Sequence, residues 1–415
     1  MTTAWPIEVA NAGSEQTGTR PGLRAYTDKR FLTVLILLVA SIPSYLVIPF
    51  YRFWAVDLHH PYVFHNCEFR NSPYHVPGEL CGDVEGRNVI SPPLLYWSFI
   101  WLRYLSFESA SILWSLLIPT IFLPLFRFWV PFRWRTWIFW CLLGAQYPLM
   151  FSIERGNIDI AVVFLWSLSF WCYQTRKYSA AGACAGFASM LKLYPATAAA
   201  VIGLAILVPR RSDTPKTSSS GYFVAGLALS ILGACLVWPF QTMTYFTEIL
   251  PRFAGTIPPF LIYSHSLPAL TEGRFWLSTA ISFFLLAIWM VAARKRLEED
   301  AQLIFAGSLA ISTYFAATSY DYNLITAYPL LLILFERAIE RPGRDGLVVL
   351  GFLVIGLVAI VGNRCLFLGS PLLERVPVSL QLSWLALVAT YCRSPKESRA
   401  RIEGVRPAAL TTIHE

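Results

Sequence analysis

The stretch with the densest polar chemistry is ERGNID at residues 154–159, which lies between two apolar runs. It combines two carboxylates, a guanidinium and an amide, although Gly-Asn alone would suffice to reverse the chain. Arg155 is suited to bidentate binding of phosphate oxygens, and Glu154, Asn157 and Asp159 to orienting that cation or binding sugar hydroxyls. The alternative is a solvated turn in which Arg155 pairs with Glu154 or Asp159. The surplus of polar groups favours a binding site.

A candidate general base follows the first apolar run directly, in the segment YRFWAVDLHHPY. Asp57 would there lie beside the bilayer and could deprotonate an acceptor hydroxyl within hydrogen-bond reach. Among the other carboxylates of this loop, Asp83 is a rival for the role. The alternative for Asp57 is an ordinary loop carboxylate solvated at the interface. Cys67 and Cys81 share the loop and form either a disulfide or two free thiols.

Further polar positions interrupt the apolar sequence downstream. Lys192, in MLKLYP, ends a helix of small residues just before a proline, and a second cation near Arg155 would suit a ligand that carries phosphate. Its alternative is a lysine that snorkels to the interface. His265 in YSHSLP and Asp321 in SYDYN are either site residues or polar residues at helix ends. Tyr320 is either a stacking wall for a sugar or part of an interfacial aromatic belt.

The elements that position these residues are apolar helices. Hydrophobic residues make up 56% of the chain and charged residues 14%, whereas soluble domains carry about 25% charged residues. Runs such as 31–50 and 275–293 have the length of about 20 residues that crosses a bilayer. The pattern predicts an all-α fold, a polytopic bundle of about 12 transmembrane helices between residues 31 and 392. The net charge of +8 lies in short clusters between these runs, which argues against a nucleic-acid partner.

The basic clusters also predict the orientation of the bundle. They fall on alternate connections, so the positive-inside rule places them and both termini in the cytoplasm. Residues 1–30 are then a disordered cytoplasmic tail and residues 393–415 a second cytoplasmic tail, while the loop at 51–107 lies outside the cytoplasm. Within this loop PPLLYWSFIWLRYLSF contains Arg103 and is predicted to be an interfacial or re-entrant helix. Every candidate site residue named above falls on the outer face.

Five stretches resemble glycosyltransferase family 87 of the GT-C class: SPYHVPGELCGDVEGRNVISPPLLYW at 72–97, ERGNID at 154–159, AGACAGFASMLKLYP at 181–195, YSHSLPAL at 263–270 and YDYNLITAYP at 320–329. The resemblance spans roughly residues 31–340. It implies an integral membrane enzyme that transfers a sugar, with inversion, from a polyprenyl-phosphate carrier such as polyprenyl-phosphate mannose. It also implies that an Asp of the first outer loop is the general base, which maps most naturally onto Asp57. In the late block, Asp321 or Tyr322 stands where the family often has a His.

These observations combine into one hypothesis for the site. Arg155 and Lys192 bind the phosphate of a polyprenyl-phosphate sugar, and Asp57 deprotonates a hydroxyl of a lipid or glycan acceptor. The scheme requires no metal ion or other cofactor. It places the enzyme in a bacterial inner membrane, in contact with membrane lipids, with its active site facing the periplasm. The remaining substrate-binding candidates are Glu154, Asn157, Asp159, His265, Tyr320 and Asp321.

The alternative function is a transporter or flippase of a lipid-linked saccharide. Such a protein would also carry charged residues in a membrane cavity. Alternating access, however, predicts polar groups in both halves of the bilayer, whereas the candidates here gather on one side. The sequence therefore favours an enzyme.

Overall fold

The structure is a computed structural model that describes residues 55, 57–59, 61–62, 91–207, 217–251, 266–271, 275–297, 300–315, 321–340 and 344–361. Within these ranges the regular elements are helical and none is a strand, which confirms the all-α prediction. The α-helices of these ranges are α1 (Pro93–Ser98), α2 (Phe107–Trp129), α3 (Trp134–Gly144), α4 (Tyr147–Arg155), α5 (Asp159–Gln174), α6 (Tyr178–Leu191), α7 (Pro195–Leu207), α8 (Thr217–Val237), α9 (Pro239–Thr244), α10 (Leu267–Leu270), α11 (Phe275–Arg296), α12 (Ala301–Ser312), α13 (Tyr328–Glu340) and α14 (Arg344–Val361).

Several of these helices have the length and apolarity of membrane spans. In the described part of the chain these are Phe107–Trp129 (α2), Ser220–Val237 (within α8) and Trp276–Arg294 (within α11). Helices α3 and α4 pass the same test together, with a bend of 53° at their junction. The described residues thus support three spans, or four with the bent pair, and do not confirm the predicted count of about 12. The tails at 1–30 and 393–415 lie outside the described residues, and the side on which the termini lie stays a prediction.

The segment that contains Arg103, predicted to be an interfacial or re-entrant helix, is not one continuous helix. It forms α1, of 6 residues, and a 3-10 helix of 5 residues at Ile100–Tyr104. Both are far shorter than the roughly 20 residues of a span. Helix α1 packs against α6 and α8, while the side chains of Trp97 and Tyr104 are exposed. The break argues against one continuous span, and an interfacial or re-entrant position stays a prediction.

Helix α5 is held on two sides by buried tryptophans. It packs against α2 and α12. The indole N–H of Trp166 donates to the carbonyl of Phe305 at 2.8 Å, and that of Trp129 donates to the hydroxyl of Ser167 at 2.8 Å. A buried indole N–H needs such a partner, and the bonds fix how far each helix can slide along its neighbour. They therefore set the position of Asp159, the first residue of α5.

Helices α6 and α8 approach closely because glycines line their contact. A Cβ built on Gly182 would lie 1.9 Å from the carbonyl oxygen of Phe223, and one on Gly226 would lie 2.0 Å from that of Ser179. Small residues let membrane helices bring their backbones together, and the resulting van der Waals contact holds the pair. Because α6 ends one residue before Lys192, the contact also sets the position of that lysine.

We expect Gly182→Ala to lower the free energy of unfolding by about 2 kcal/mol, because the added methyl group must push α6 away from α8. Gly233→Ala, on α8, is the control, since nothing lies within 4 Å of its built Cβ. It should leave stability unchanged or raise it slightly through helix propensity. Thermal unfolding of the purified protein in detergent measures both variants, and equal effects would contradict the close contact.

Candidate functional site

The ERGNID turn forms because Gly156 ends helix α4. Gly156 has a φ of 67°, the left-handed conformation that glycine adopts without steric cost. The N–H of Asn157 then donates to the carbonyl of Ser152 at 2.9 Å, which closes the end of the helix. The Arg-Gly-Asn sequence therefore ends helix α4, and the chain changes direction at Gly156.

The segment that carries Asp57 is docked on this turn. The N–H of Ala55 donates to the carbonyl of Glu154 at 2.7 Å. A Cβ at Gly156 would lie 2.9 Å from the Cβ of Leu58, so only a glycine leaves room for the segment. Residues that are distant in sequence are thus held against each other by the backbone itself.

Arg155 and Asp57 form an ion pair across this contact. One Nη of Arg155 lies 2.5 Å from Oδ1 of Asp57, and its Nε lies 3.1 and 3.2 Å from the two carboxylate oxygens. The guanidinium also lies over the ring of Phe151, 5.5 Å from its centroid and one turn earlier on α4. Ring and carboxylate together restrict the orientation of the guanidinium plane.

The pKa of the Asp57 carboxyl lies below its ordinary value. Burial is the largest single influence and raises this pKa. The charge of Arg155 and its hydrogen bonds, the hydrogen bond from Asn157 and the charge of Lys192 together outweigh burial and lower it. Asp57 is therefore ionised at neutral pH, as a proton acceptor must be.

Asn157 connects Asp57 to the start of helix α5. Its Nδ2 donates to Oδ2 of Asp57 at 2.6 Å, and its Oδ1 accepts from the backbone N–H of Asp159 at 2.8 Å. The side chain thus joins the ion pair to one of the otherwise unpaired N–H groups of a helix N-terminus.

Asp159 accepts hydrogen bonds from side chains in two further parts of the chain. Its Oδ1 accepts from the ammonium of Lys192 at 2.8 Å and from the hydroxyl of Tyr194 at 2.9 Å. Its Oδ2 accepts from Nδ2 of Asn323, which lies in the 3-10 helix Asp321–Ala327. Because the side chain of Asp159 is 0% exposed, these bonds replace its lost hydration.

The members of this polar network differ in exposure. The side chains of Arg155, Asp57 and Lys192 keep 16%, 21% and 20% of their surface exposed. Asn157 and Asp159 are buried. The network therefore has a buried part, which holds other side chains, and an accessible part made of one carboxylate and two cations.

The structure brings together five of the residues selected from the sequence: Asp57, Arg155, Asn157, Asp159 and Lys192. Glu154 lies at the same turn, and its side chain is buried. Asp321 begins the 3-10 helix that carries Asn323. His265, Tyr320, Asp83 and the pair Cys67 and Cys81 lie outside the described residues, so their predicted roles remain predictions.

Two members of the network, Tyr194 and Asn323, were not among the residues predicted from the sequence. Their only signal was proximity in sequence, since Tyr194 belongs to the LKLYP motif and Asn323 follows Asp321 by two residues. In the described part of the chain, no three side chains of His, Cys, Asp or Glu are grouped as a metal site would require.

A comparison with protein families finds one match that covers more than half of the chain. The model of glycosyltransferase family 87 matches residues 90–319. The matched region contains Arg155, Asn157, Asp159 and Lys192. No curated protein and no solved structure matches the chain.

We expect Lys192→Met to lower the free energy of unfolding by about 3 kcal/mol, because it leaves the fully buried carboxylate of Asp159 without its counter-charge. Asp159→Asn is the comparison variant and should cost less, since it removes the buried charge and keeps an oxygen that accepts from Lys192 and Tyr194. Thermal unfolding of both variants in detergent tests this order. A larger loss in Asp159→Asn would show that the hydrogen bonds of Asp159 matter more than its counter-charge.

Proposed function

The chain belongs to glycosyltransferase family 87 and is a membrane glycosyltransferase, and from this premise we propose its donor, mechanism and orientation. It transfers a sugar from a polyprenyl-phosphate donor to a hydroxyl group of a lipid or glycan acceptor, with inversion. The reaction takes place on the extracytoplasmic face of a bacterial inner membrane. Asp57 is the general base, and Arg155 and Lys192 bind the donor phosphate.

One observation carries this proposal: the accessible part of the polar network contains one carboxylate and two cations. Asp57, Arg155 and Lys192 are its partly exposed side chains. These groups match what a sugar phosphate needs for transfer. Its phosphate is an anion that the cations can neutralise, and the adjacent anomeric carbon is attacked by a hydroxyl that the carboxylate can deprotonate. The burial of Asn157 and Asp159 argues against their predicted contact with substrate.

Both cations can bind phosphate while they keep their carboxylate partners. A guanidinium has five N–H donors, and Asp57 is bound by Nε and one Nη of Arg155. The ammonium of Lys192 has three donors, one of which is directed to Asp159. Positive charge at the phosphate stabilises the negative charge that develops as the sugar leaves.

The proposed step is a single displacement. The acceptor oxygen forms a bond to the anomeric carbon on the face opposite the phosphate, while the bond between that carbon and the phosphate oxygen breaks. The proton of the acceptor hydroxyl passes to Asp57, and polyprenyl phosphate leaves with the electron pair.

Donor binding would also strengthen the base. In the structure Arg155 lowers the pKa of Asp57. A phosphate that shares Arg155 weakens this influence, so the pKa of Asp57 rises and the carboxylate accepts a proton more readily. The base would thus become most effective when the donor is in place.

The test is an assay of the purified protein in lipid nanodiscs with polyprenyl-phosphate mannose, arabinose or glucose and membrane-lipid acceptors. We expect release of polyprenyl phosphate, and a decrease of about 10²–10⁴-fold in turnover for Asp57→Asn, because general-base catalysis contributes rate factors of this size. Glu108→Gln, which changes an exposed carboxylate in the first turn of α2, is the matched control and should keep full turnover.

Two results would contradict parts of the proposal separately. Undiminished turnover in Asp57→Asn would remove the assigned base and leave the donor class intact. Transfer from nucleotide sugars, with none from the polyprenyl phosphates, would contradict the assigned donor.

A further inference from the structure

Every polar group of Asn157 has a hydrogen-bond partner in the structure. Its backbone N–H donates to Ser152, and its carbonyl accepts from the indole of Trp114 at 3.3 Å. Its side-chain oxygen accepts from the N–H of Asp159, and its side-chain nitrogen donates to Asp57. The residue is 2% exposed. Asn157 therefore has little capacity to bind a substrate directly.

The direction of this amide is set by what its neighbours can donate or accept. The backbone N–H of Asp159 can only donate, so it must face the oxygen of Asn157. The NH₂ group then faces the carboxylate of Asp57, which can only accept when it is ionised. If the amide were turned over, its NH₂ group would face the N–H of Asp159 and its oxygen would face the carboxylate of Asp57. Both contacts would be repulsive, so the amide has one stable orientation.

The fixed orientation of the Asn157 amide also restricts the carboxylate of Asp57, the proposed base. Arg155 bonds to both oxygens of Asp57, and Oδ2 is bound in addition, and at the shorter distance of 2.6 Å, by the NH₂ group of Asn157. Arg155 is partly exposed and accessible to the donor phosphate, whereas the bond from Asn157 is anchored in the buried start of α5. When Arg155 shares its donors between Asp57 and the phosphate, the bond from Asn157 to the carboxylate is not shared.

From this geometry we infer that Asn157 is a positioning residue of the transfer reaction, whose amide fixes the plane of the Asp57 carboxylate while Arg155 engages the donor. The inference rests on the proposed function, since it concerns the orientation of the assigned base. It replaces the substrate-binding role predicted for Asn157 from sequence.

The charged surroundings of Asp57 determine how its ionisation responds to changes at Asn157. The cations near it are Arg155, in direct contact, and Lys192, which acts at longer range. In the described part of the chain, the further acidic and imidazole groups on these elements are Glu154 on α4, Asp159 on α5 and His59 on the same segment as Asp57. Removing the NH₂ donor leaves Arg155 as the principal group that favours the ionised form, so the pKa of Asp57 should rise.

The first measurement does not depend on turnover. Infrared titration of the full-length protein in nanodiscs follows the protonated carboxyl band of Asp57, identified by its absence in Asp57→Asn. In Asn157→Ala this titration should move to higher pH by about one to two units, the size expected for the loss of one charge-assisted hydrogen bond. Gln302→Ala removes a side-chain amide that bonds to Trp129 instead, and should leave the titration unchanged.

A second variant separates positioning from folding. Asn157→Asp keeps an oxygen for the N–H of Asp159 but places a carboxylate against Asp57. The two carboxylates should then titrate as a coupled pair, with one step at a higher pH than in the wild type and a corresponding change in the pH dependence of kcat/KM. In Asn157→Ala, which adds no charge near Arg155, the KM for the donor should stay within about threefold of the wild-type value because Asn157 does not touch the substrate.

The outcomes distinguish the alternatives. A raised donor KM with an unchanged Asp57 titration would overturn the inference in favour of substrate contact. A lower Tm in both variants with an unchanged titration would overturn it in favour of a purely structural role. Absence of wild-type transfer from polyprenyl phosphates would reject the proposed function, and the infrared titration would still report separately whether Asn157 controls Asp57.

Discussion

A buried carboxylate at the beginning of α5 imposes the strongest constraint on this part of the molecule. Asp159 has no exposed side-chain surface, and a carboxylate removed from water is tolerated only with several hydrogen bonds or a counter-charge. Lys192, Tyr194 and Asn323 meet this need, and they belong to the α6–α7 turn and to a 3-10 helix far along the chain. The requirement therefore brings together segments that local sequence does not connect.

The sequence predicted the type of element and drew attention to several members of the polar network because those signals are local. Apolar length indicated helices, and Gly-Asn indicated a reversal after α4, where Gly156 indeed takes a left-handed conformation. The crowding of charged groups at apolar boundaries identified Arg155, Asp159 and Lys192 individually. Such signals depend on neighbours within a few residues, which is why they could be recognised in a single sequence.

The contacts between side chains that are distant in sequence depend on the tertiary structure, so they could not be predicted from the sequence. A pair with Glu154 or Asp159 was the alternative considered for Arg155, and no sequence signal indicated its ion pair with Asp57, 98 residues away. Asn323 had no chemical signal of its own, because an asparagine near a helix end is common and its partner lies 164 residues away. The predicted number of spans stays a prediction, since among the described residues short apolar helices such as α7 and α12 have the composition of a span without its length.

The glycine contact between α6 and α8 has a consequence for motion during the reaction. Where a backbone carbonyl occupies the space of an absent side chain, neither helix can rotate or slide without striking the other. The end of α6 therefore has a fixed depth, and so does the backbone of Lys192. Any travel of its ammonium between Asp159 and a second anion must come from rotation about the four side-chain bonds of the lysine, within the few ångströms that these bonds allow.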